Sequence, residues 1–360
     1  MLFCQLAQVK SLREICGGLA CCLGKLRHLG MKNVPNKSTL SYANAYKVWQ
    51  VFQDLFYETL AVCKSAASGK HKFRFKNKLL SLDSSTISLC LSLFPWAKFR
   101  RTKGAIKLDL LLDHDGYLPT YAHISEGRRH DGTIARKVAL APGSGVAMDR
   151  GYNDHRLFAY WTDTGIFFVT RLKENVDYAV IEDRVVPKRS NILADQLIQF
   201  TGFYAQKHCP YHLRRVMLWD TVKEREIVLL TNHLDFGATT LSAIYKDRWQ
   251  IELFFKALKQ NLKVKTFVGI TENALCIKIW AALIAILLIK YLQFKSRFAW
   301  SVSNLVTFLR WNLFTYRDLW EWINHPFDVL LLVLKLVQIT LPFAHPGQQC
   351  IKIQNNQGIF

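Results

Sequence analysis

Between Leu79 and Leu172 the apolar residues arrive in short runs, and that rhythm limits the possible folds more than any other feature of the chain. Leu79 to Ile87, Ile106 to Leu112, Leu118 to Ile124, Gly145 to Met148 and Ile166 to Leu172 are each of strand length and bounded by turn residues. Asp113-His-Asp-Gly carries the Asp-Gly turn signal, so the second and third runs predict an antiparallel hairpin. Thr133 to Leu140 and His155 to Asp163 have helical spacing and separate the later strands. A three-strand meander followed by strands alternating with helices predicts an α/β domain on a mixed five-stranded sheet.

That element order is the order of a ribonuclease-H-like domain. Residues 173 to about 235 do not continue it: apolar pieces such as Tyr178-Ala-Val-Ile, Val216-Met-Leu-Trp and Ile227-Val-Leu-Leu are separated by charged turns. They predict a β-rich insertion. Residues 1–63 read as a small helical N-terminal domain, with one helix from Leu12 to Leu23 and another from about Leu40 to Cys63, in the manner of a helix-turn-helix DNA reader. A basic linker, 64–78, leads to a catalytic domain over 79–300, and 301–360 form a helical C-terminal region and tail. The apolar run from Ile279 to Ile289 is too short to span a bilayer and predicts a buried helix, so no membrane is expected as a partner.

Lys and Arg number 48 against 27 Asp and Glu, a formal net charge of +21, and such an excess points first to nucleic acid. Aromatic residues at 13% argue against a disordered basic tail. The nine cysteines are scattered without a C-x-x-C pair, which disfavours a disulfide framework or zinc knuckle and fits a reducing cytoplasm.

The chemistry gathers on Ile244 to Gln260. Tyr245, Arg248, Glu252 and Lys259 fall within an arc of roughly 60° on one continuous helix. Ile244, Ile251, Phe254, Phe255 and Leu258 form the adjoining apolar stripe that would bury it. Asp83, in S-L-D-S-S-T near the end of the first strand, and Asp149, at the end of the fourth, supply two further carboxylates. Three hard oxygen donors suit Mg²⁺ or Mn²⁺, and a pair of such ions serves phosphodiester chemistry. Asp109 and Asp113 are rival acids, Asp113 preferred as a turn residue; Asp131 reads as a helix cap beside His130, and Trp219 as core.

These residues resemble the DDE transposases of the insertion-sequence-four family, whose Y-x2-R-x3-E-x6-K signature Tyr245, Arg248, Glu252 and Lys259 match without a gap. L-D-S-S-T at Asp83 and M-D-R-G-Y at Asp149 match its two aspartates, and K-T-F-V-G-I-T-E-N-A from Lys265 reads like its continuation. The resemblance implies a ribonuclease-H-like catalytic core, with Asp83, Asp149 and Glu252 as catalytic metal ligands for a pair of Mg²⁺ ions, for which Mn²⁺ substitutes. It implies Tyr245, Arg248, Lys259, Lys256 and Arg150 as DNA contacts. It further implies cleavage at element ends and strand transfer into target double-stranded DNA, within a homo-oligomeric synaptic complex at the bacterial nucleoid. The family's N-terminal region is usually longer, so the chain is expected to begin partway into the DNA-binding domain. The alternatives are a catalytically silent DNA-binding remnant and a structure-specific nuclease on the same fold.

Overall fold

Strand-length runs and amphipathic helices assemble here into one twisted sheet with helices on both faces. The structure is a computed structural model that describes residues 1–22, 26–67, 73, 77–100, 103–128, 131–261, 269–313, 315 and 317–328. Four helices open the chain: α1 (Leu2–Ala7), α2 (Leu12–Ala20), α3 (Lys37–Tyr46) and α4 (Gln50–Ala67). The helix expected from Leu40 to Cys63 is thus two, broken at Lys47, whose backbone is extended. The amide of Asn273 donates to the carbonyls of Asn44 and Lys47, at 3.0 and 2.7 Å, and so satisfies groups that the break leaves without helical partners. Most of the expected linker lies outside the described residues, as do His130 and everything beyond Asp328.

The strands β1 (Leu79–Leu89), β2 (Lys98–Arg100), β3 (Lys103–Asp113) and β4 (Leu118–Glu126) come next. The short helix α5 (Asp131–Ala135), β5 (Gly145–Met148), α6 (His155–Asp163) and β6 (Phe167–Arg171) follow. β1 pairs antiparallel with β3 and parallel with β5, β5 runs parallel with β6, and β4 pairs with β3. β7 (Tyr178–Asp183), β8 (Ile192–Phe200), helix α7 (Phe203–His208), β9 (Leu213–Asp220) and β10 (Arg225–Thr231) occupy the segment expected to be an insertion. They are β-rich, but they do not form a separate sheet. β10 pairs antiparallel with β6, Leu230 opposite Thr170, so all ten strands belong to one sheet. The physical reason is the edge of β6: its other side is taken by β5, and an open row of backbone donors and acceptors is costly to leave beside a core.

The remaining helices are α8 (Ala238–Asp247), α9 (Trp249–Asn261), α10 (Glu272–Lys295), α11 (Val302–Asn312) and α12 (Leu319–Asn324). Side-chain alternation divides the core. Leu80 and Leu82 of β1 pack with Leu157, Phe158 and Trp161 of α6 on one face. Leu79 packs with Leu241 and Ile244 of α8 on the other, and Ile87 with Ile251, Phe254 and Leu258 of α9. α10 is long and apolar enough to cross a membrane, but 78% of its most apolar window is buried inside the protein. It is the central helix of the second face, contacted by α4 through the Cys63 thiol and the Leu287 carbonyl and by α1 through the Gln5 amide and the Lys278 carbonyl.

Candidate active site

Register brings the two aspartates to one level. Leu82 lies opposite Met148 on the parallel neighbours β1 and β5, and the next residue on each chain is Asp83 and Asp149. β1 does not end near Asp83, as the sequence suggested; it continues to Leu89. β5 ends at Met148, so beyond Leu82 the β5 side of β1 has no strand, and the carboxylate is reachable there. The odd positions of β1 face α8 and α9, and Asp149, two residues after Ala147 in the α8-side core, follows the same parity.

The helix expected to be continuous from Ile244 to Gln260 is broken at Arg248. Arg248 keeps near-helical angles, φ −50° and ψ −29°, and its N–H still donates to the Ile244 carbonyl. The N–H of Ile251 then bonds three residues back, to the Arg248 carbonyl, at 3.1 Å, which tightens the turn. Arg248 stands between two carboxylates. One Nη lies 2.7 Å from Glu252 Oε1 and the other 3.6 Å from Asp83 Oδ2. Its guanidinium also lies over the Tyr245 ring, 5.5 Å from the centroid.

Burial pushes the Asp83 carboxyl up to about 6; the negative charges of Asp149 and Glu252 push the same way, while the Ser84 N–H and Arg248 oppose them. The Tyr245 hydroxyl is also raised, first by burial, with Asp149 raising it and Arg248 opposing. Asp149, Tyr245, Arg248 and Glu252 line a cavity of about 480 Å³ whose opposite wall is Trp219, Lys223 and Arg225 around the β9–β10 turn. Trp249 lines it too, with the Lys223 ammonium 5.8 Å from its ring centroid. Trp219, expected in the core, is 39% exposed on this wall. Trp219 is the penultimate residue of β9, beside the β9–β10 turn, where its side chain meets the cavity and not a packed helix.

Lys259 does not line that cavity. Its ammonium donates to Ser85 Oγ at 2.5 Å and to the Thr86 carbonyl at 3.2 Å, anchoring α9 to β1 just past Asp83. Lys256 lines a different groove, with Tyr117, Leu253 and Lys290. Arg150 follows Asp149 in an exposed turn, its nearest acid being Glu174 at 3.9 Å. Asp109 is fully buried opposite Ser84, on the α6 face, and Asp113 pairs with Lys78 at 2.8 Å, so neither rival acid joins the cluster. The sequence reading overlooked Asp247, which occupies the buried stripe between Ile244 and Ile251; an acid at a core position of an amphipathic helix was the available signal.

The groups able to hold a divalent metal are Asp83, Asp149 and Glu252. Among the described residues no three His, Cys, Asp or Glu side chains converge on one ion in this arrangement. The donor chemistry nonetheless fits a hard cation: the charges of Asp149 and Glu252 bear on the Asp83 carboxyl, and Asp83 and Glu252 are already spanned by one positive group, the Arg248 guanidinium.

Comparison with known proteins bears on this constellation. The transposase DDE domain family matches residues 74–288, and a domain of unknown function matches residues 1–32. A protein of Sinorhizobium fredii described as a transposase is 28% identical over 292 residues, 79% of this chain and 79% of that one. A Geobacillus stearothermophilus protein described as the transposase of an insertion sequence element is 27% identical over 73% of this chain and 70% of that one. Its counterpart from Synechocystis is 25% identical over 71% of each. Among solved structures, the piggyBac transposase synaptic complex with hairpin DNA is similar at a TM-score of 0.39 and 12% identity, over 71% of this chain and 55% of that chain.

Proposed function

Because the chain belongs to the transposase DDE domain family, we propose that it is a DNA transposase that cuts double-stranded DNA at element ends and joins those ends to a target. The observation that carries this reading is the level pairing of Asp83 and Asp149 on neighbouring parallel strands, with Glu252 on the helix that crosses the same face and tied to Asp83 through Arg248. In this reading β1 and β3 to β6, with α5 and α6, form a ribonuclease-H-like core, and the antiparallel meander β7 to β10 is the insertion that walls the cavity.

Members of this family use divalent metal ions. The proposal assigns Asp83, Asp149 and Glu252 as the residues that would hold two Mg²⁺ ions, with Mn²⁺ a substitute. When bound, such ions supply Lewis acidity toward the scissile phosphate and its attacking and leaving oxygens. Arg248, which here bridges Asp83 and Glu252, would present its paired donors to a DNA phosphate. The Tyr245 hydroxyl would donate to the same backbone, and Lys259 would hold α9 in place or reach a neighbouring phosphate. Lys256 and Arg150, both outside the cavity wall, would contact flanking duplex. The proposal includes a homo-oligomeric synaptic complex that pairs two element ends, a location at the bacterial nucleoid in the cytoplasm, and no membrane partner.

Glu252→Gln tests the assignment. With a supercoiled plasmid carrying the element's ends, the variant is expected to retain DNA binding by gel shift and to lose Mg²⁺-dependent nicking. Nicking at the wild-type rate would exclude Glu252 from the chemistry.

A further inference from the structure

Next to the α8–α9 break lies a second constellation, buried except at the rim of the Tyr117 ring. Ser81 Oγ and His114 Nε2 are 2.7 Å apart, His114 Nδ1 is 2.6 Å from Asp247 Oδ2, and the Tyr117 hydroxyl donates to both Asp247 oxygens at 3.1 and 3.2 Å. Ser81 is 0% exposed, His114 3% and Asp247 4%. The order serine, histidine, aspartate is that of a hydrolase, but a serine without exposed surface meets no substrate, so a nucleophilic role is excluded. What the cluster joins is more informative. Ser81 lies on β1 two residues before Asp83, His114 and Tyr117 lie in the β3–β4 turn, and Asp247 immediately precedes Arg248.

We propose that Asp247, His114 and Tyr117 are positioning residues that fix the break between α8 and α9, and through it hold Arg248 and Glu252 at the level of Asp83. Drawing Asp247 inward to His114 and Tyr117 tightens the helix at the next residue, and that turn directs Arg248 toward Asp83. The turn that presents His114 and Tyr117 is itself held in an uncommon conformation. Gly116 has φ +80° and Tyr117 φ +53°, a left-handed backbone that a bulky side chain rarely adopts. A side chain on Gly116 would also meet Ala67 Cβ and Phe294 Cζ at 3.1 Å. Lys290 of α10 braces the turn, its ammonium 3.4 Å from the Gly116 carbonyl and 5.9 Å from the centre of the Tyr117 ring. A non-glycine residue held in the left-handed region is characteristic of a segment whose placement is used.

This inference rests on the proposed transposase activity, and the experiment separates the two. Single-turnover cleavage of an end-containing duplex, the dissociation constant for that duplex, and thermal stability are measured for wild type, Asp247→Asn and Tyr117→Phe. The conservative changes keep shape: Asp247→Asn removes the charge and one of the two acceptor oxygens that serve His114 and Tyr117, and Tyr117→Phe removes only the hydroxyl. Cleavage at saturating DNA and Mg²⁺ is expected to fall about tenfold or more, as small misplacements of catalytic groups do, while the dissociation constant stays within about twofold. Should Asp247→Asn fail to fold, Tyr117→Phe carries the test alone. Variants that cut as fast as wild type, or that lose cleavage only in proportion to binding or stability, overturn the positioning role alone. A wild-type protein that cuts no DNA overturns the activity and the positioning role with it.

Discussion

Removing the Asp195 carboxylate is expected to be among the most destabilising single-atom-scale changes available in this protein. Arg214 of β9 donates to Asp195 of β8 in bidentate fashion, Nε to Oδ1 at 2.8 Å and Nη2 to Oδ2 at 2.6 Å. The side chains are 4% and 3% exposed. The second Nη donates to the carbonyls of Leu234 and Phe236, in the segment that enters α8. At an effective dielectric of about 20, charges near 2.7 Å attract by about 6 kcal/mol, part of which offsets the desolvation of both ions. Asp195→Asn keeps the volume but leaves the guanidinium buried with neutral partners, a change that costs about 3–5 kcal/mol. Against a total stability of roughly 5–15 kcal/mol, that is a large fraction. At about 2 °C per kcal/mol for a long chain, the melting temperature should fall by about 6–10 °C. Differential scanning calorimetry with Glu174→Gln as control checks it, because the exposed Arg150–Glu174 contact at 3.9 Å contributes little. If Asp195→Asn melts within about 1 °C of that control, the buried pair does not stabilise the meander and the argument fails.

The other expectations concern thiols, histidines and the cavity wall. Burial raises the Cys63 and Cys209 thiols to about 11 and Cys276 to about 12, whereas hydrogen bonds from Ser92 and nearby backbone lower that of exposed Cys90. Iodoacetamide at pH 8 followed by peptide mapping should therefore label Cys90 and spare the other three until the protein unfolds. Burial also lowers His155 and His233 below 6.5, so as pH falls through 6.5 the unfolded chain takes up protons that the folded chain does not, and stability is lost from there downward. Urea midpoints at pH 7.5 and 5.5 should accordingly show wild type losing stability relative to His155→Gln, with no such divergence above pH 7.5. Trp219→Ala should cost well under the roughly 3–5 kcal/mol of a buried tryptophan, and a melting-temperature loss of core size would put that side chain back in the interior.

The parts of the fold set by local pattern were legible in the chain. β5 and α6 have the bounds expected for them, Gly145–Met148 and His155–Asp163, and the Asp154 carboxylate caps α6 by accepting from the Arg156 and Leu157 amides. Arg248 and Glu252 meet because they lie one helical turn apart. What was illegible depends on partners distant in sequence. The break at Arg248 follows from Asp247 reaching His114, 133 residues earlier, and helical periodicity carries no trace of it. The break at Lys47 is sustained by Asn273 from α10. The merging of the meander with the main sheet depends on which edge β10 finds. The outward turn of Trp219 depends on what lies across the cavity.

The seam between β6 and β10 has a consequence for how such a chain can vary. Only three residue pairs join the two strands, from Arg171 with Leu229 to Val169 with Thr231. The chain leaves the main sheet at β6 and returns to it at β10, on adjacent strands, so the span between exit and return is fixed whatever lies between. Because loop-closure entropy grows only slowly with length, hairpins can be added to or removed from the far side at little cost to the seam. Arg214 then fixes the return path by holding the Leu234 and Phe236 carbonyls ahead of α8. The wall of the cavity is in this sense a replaceable module: its outer strands are free to diverge, while the acids keep their geometry.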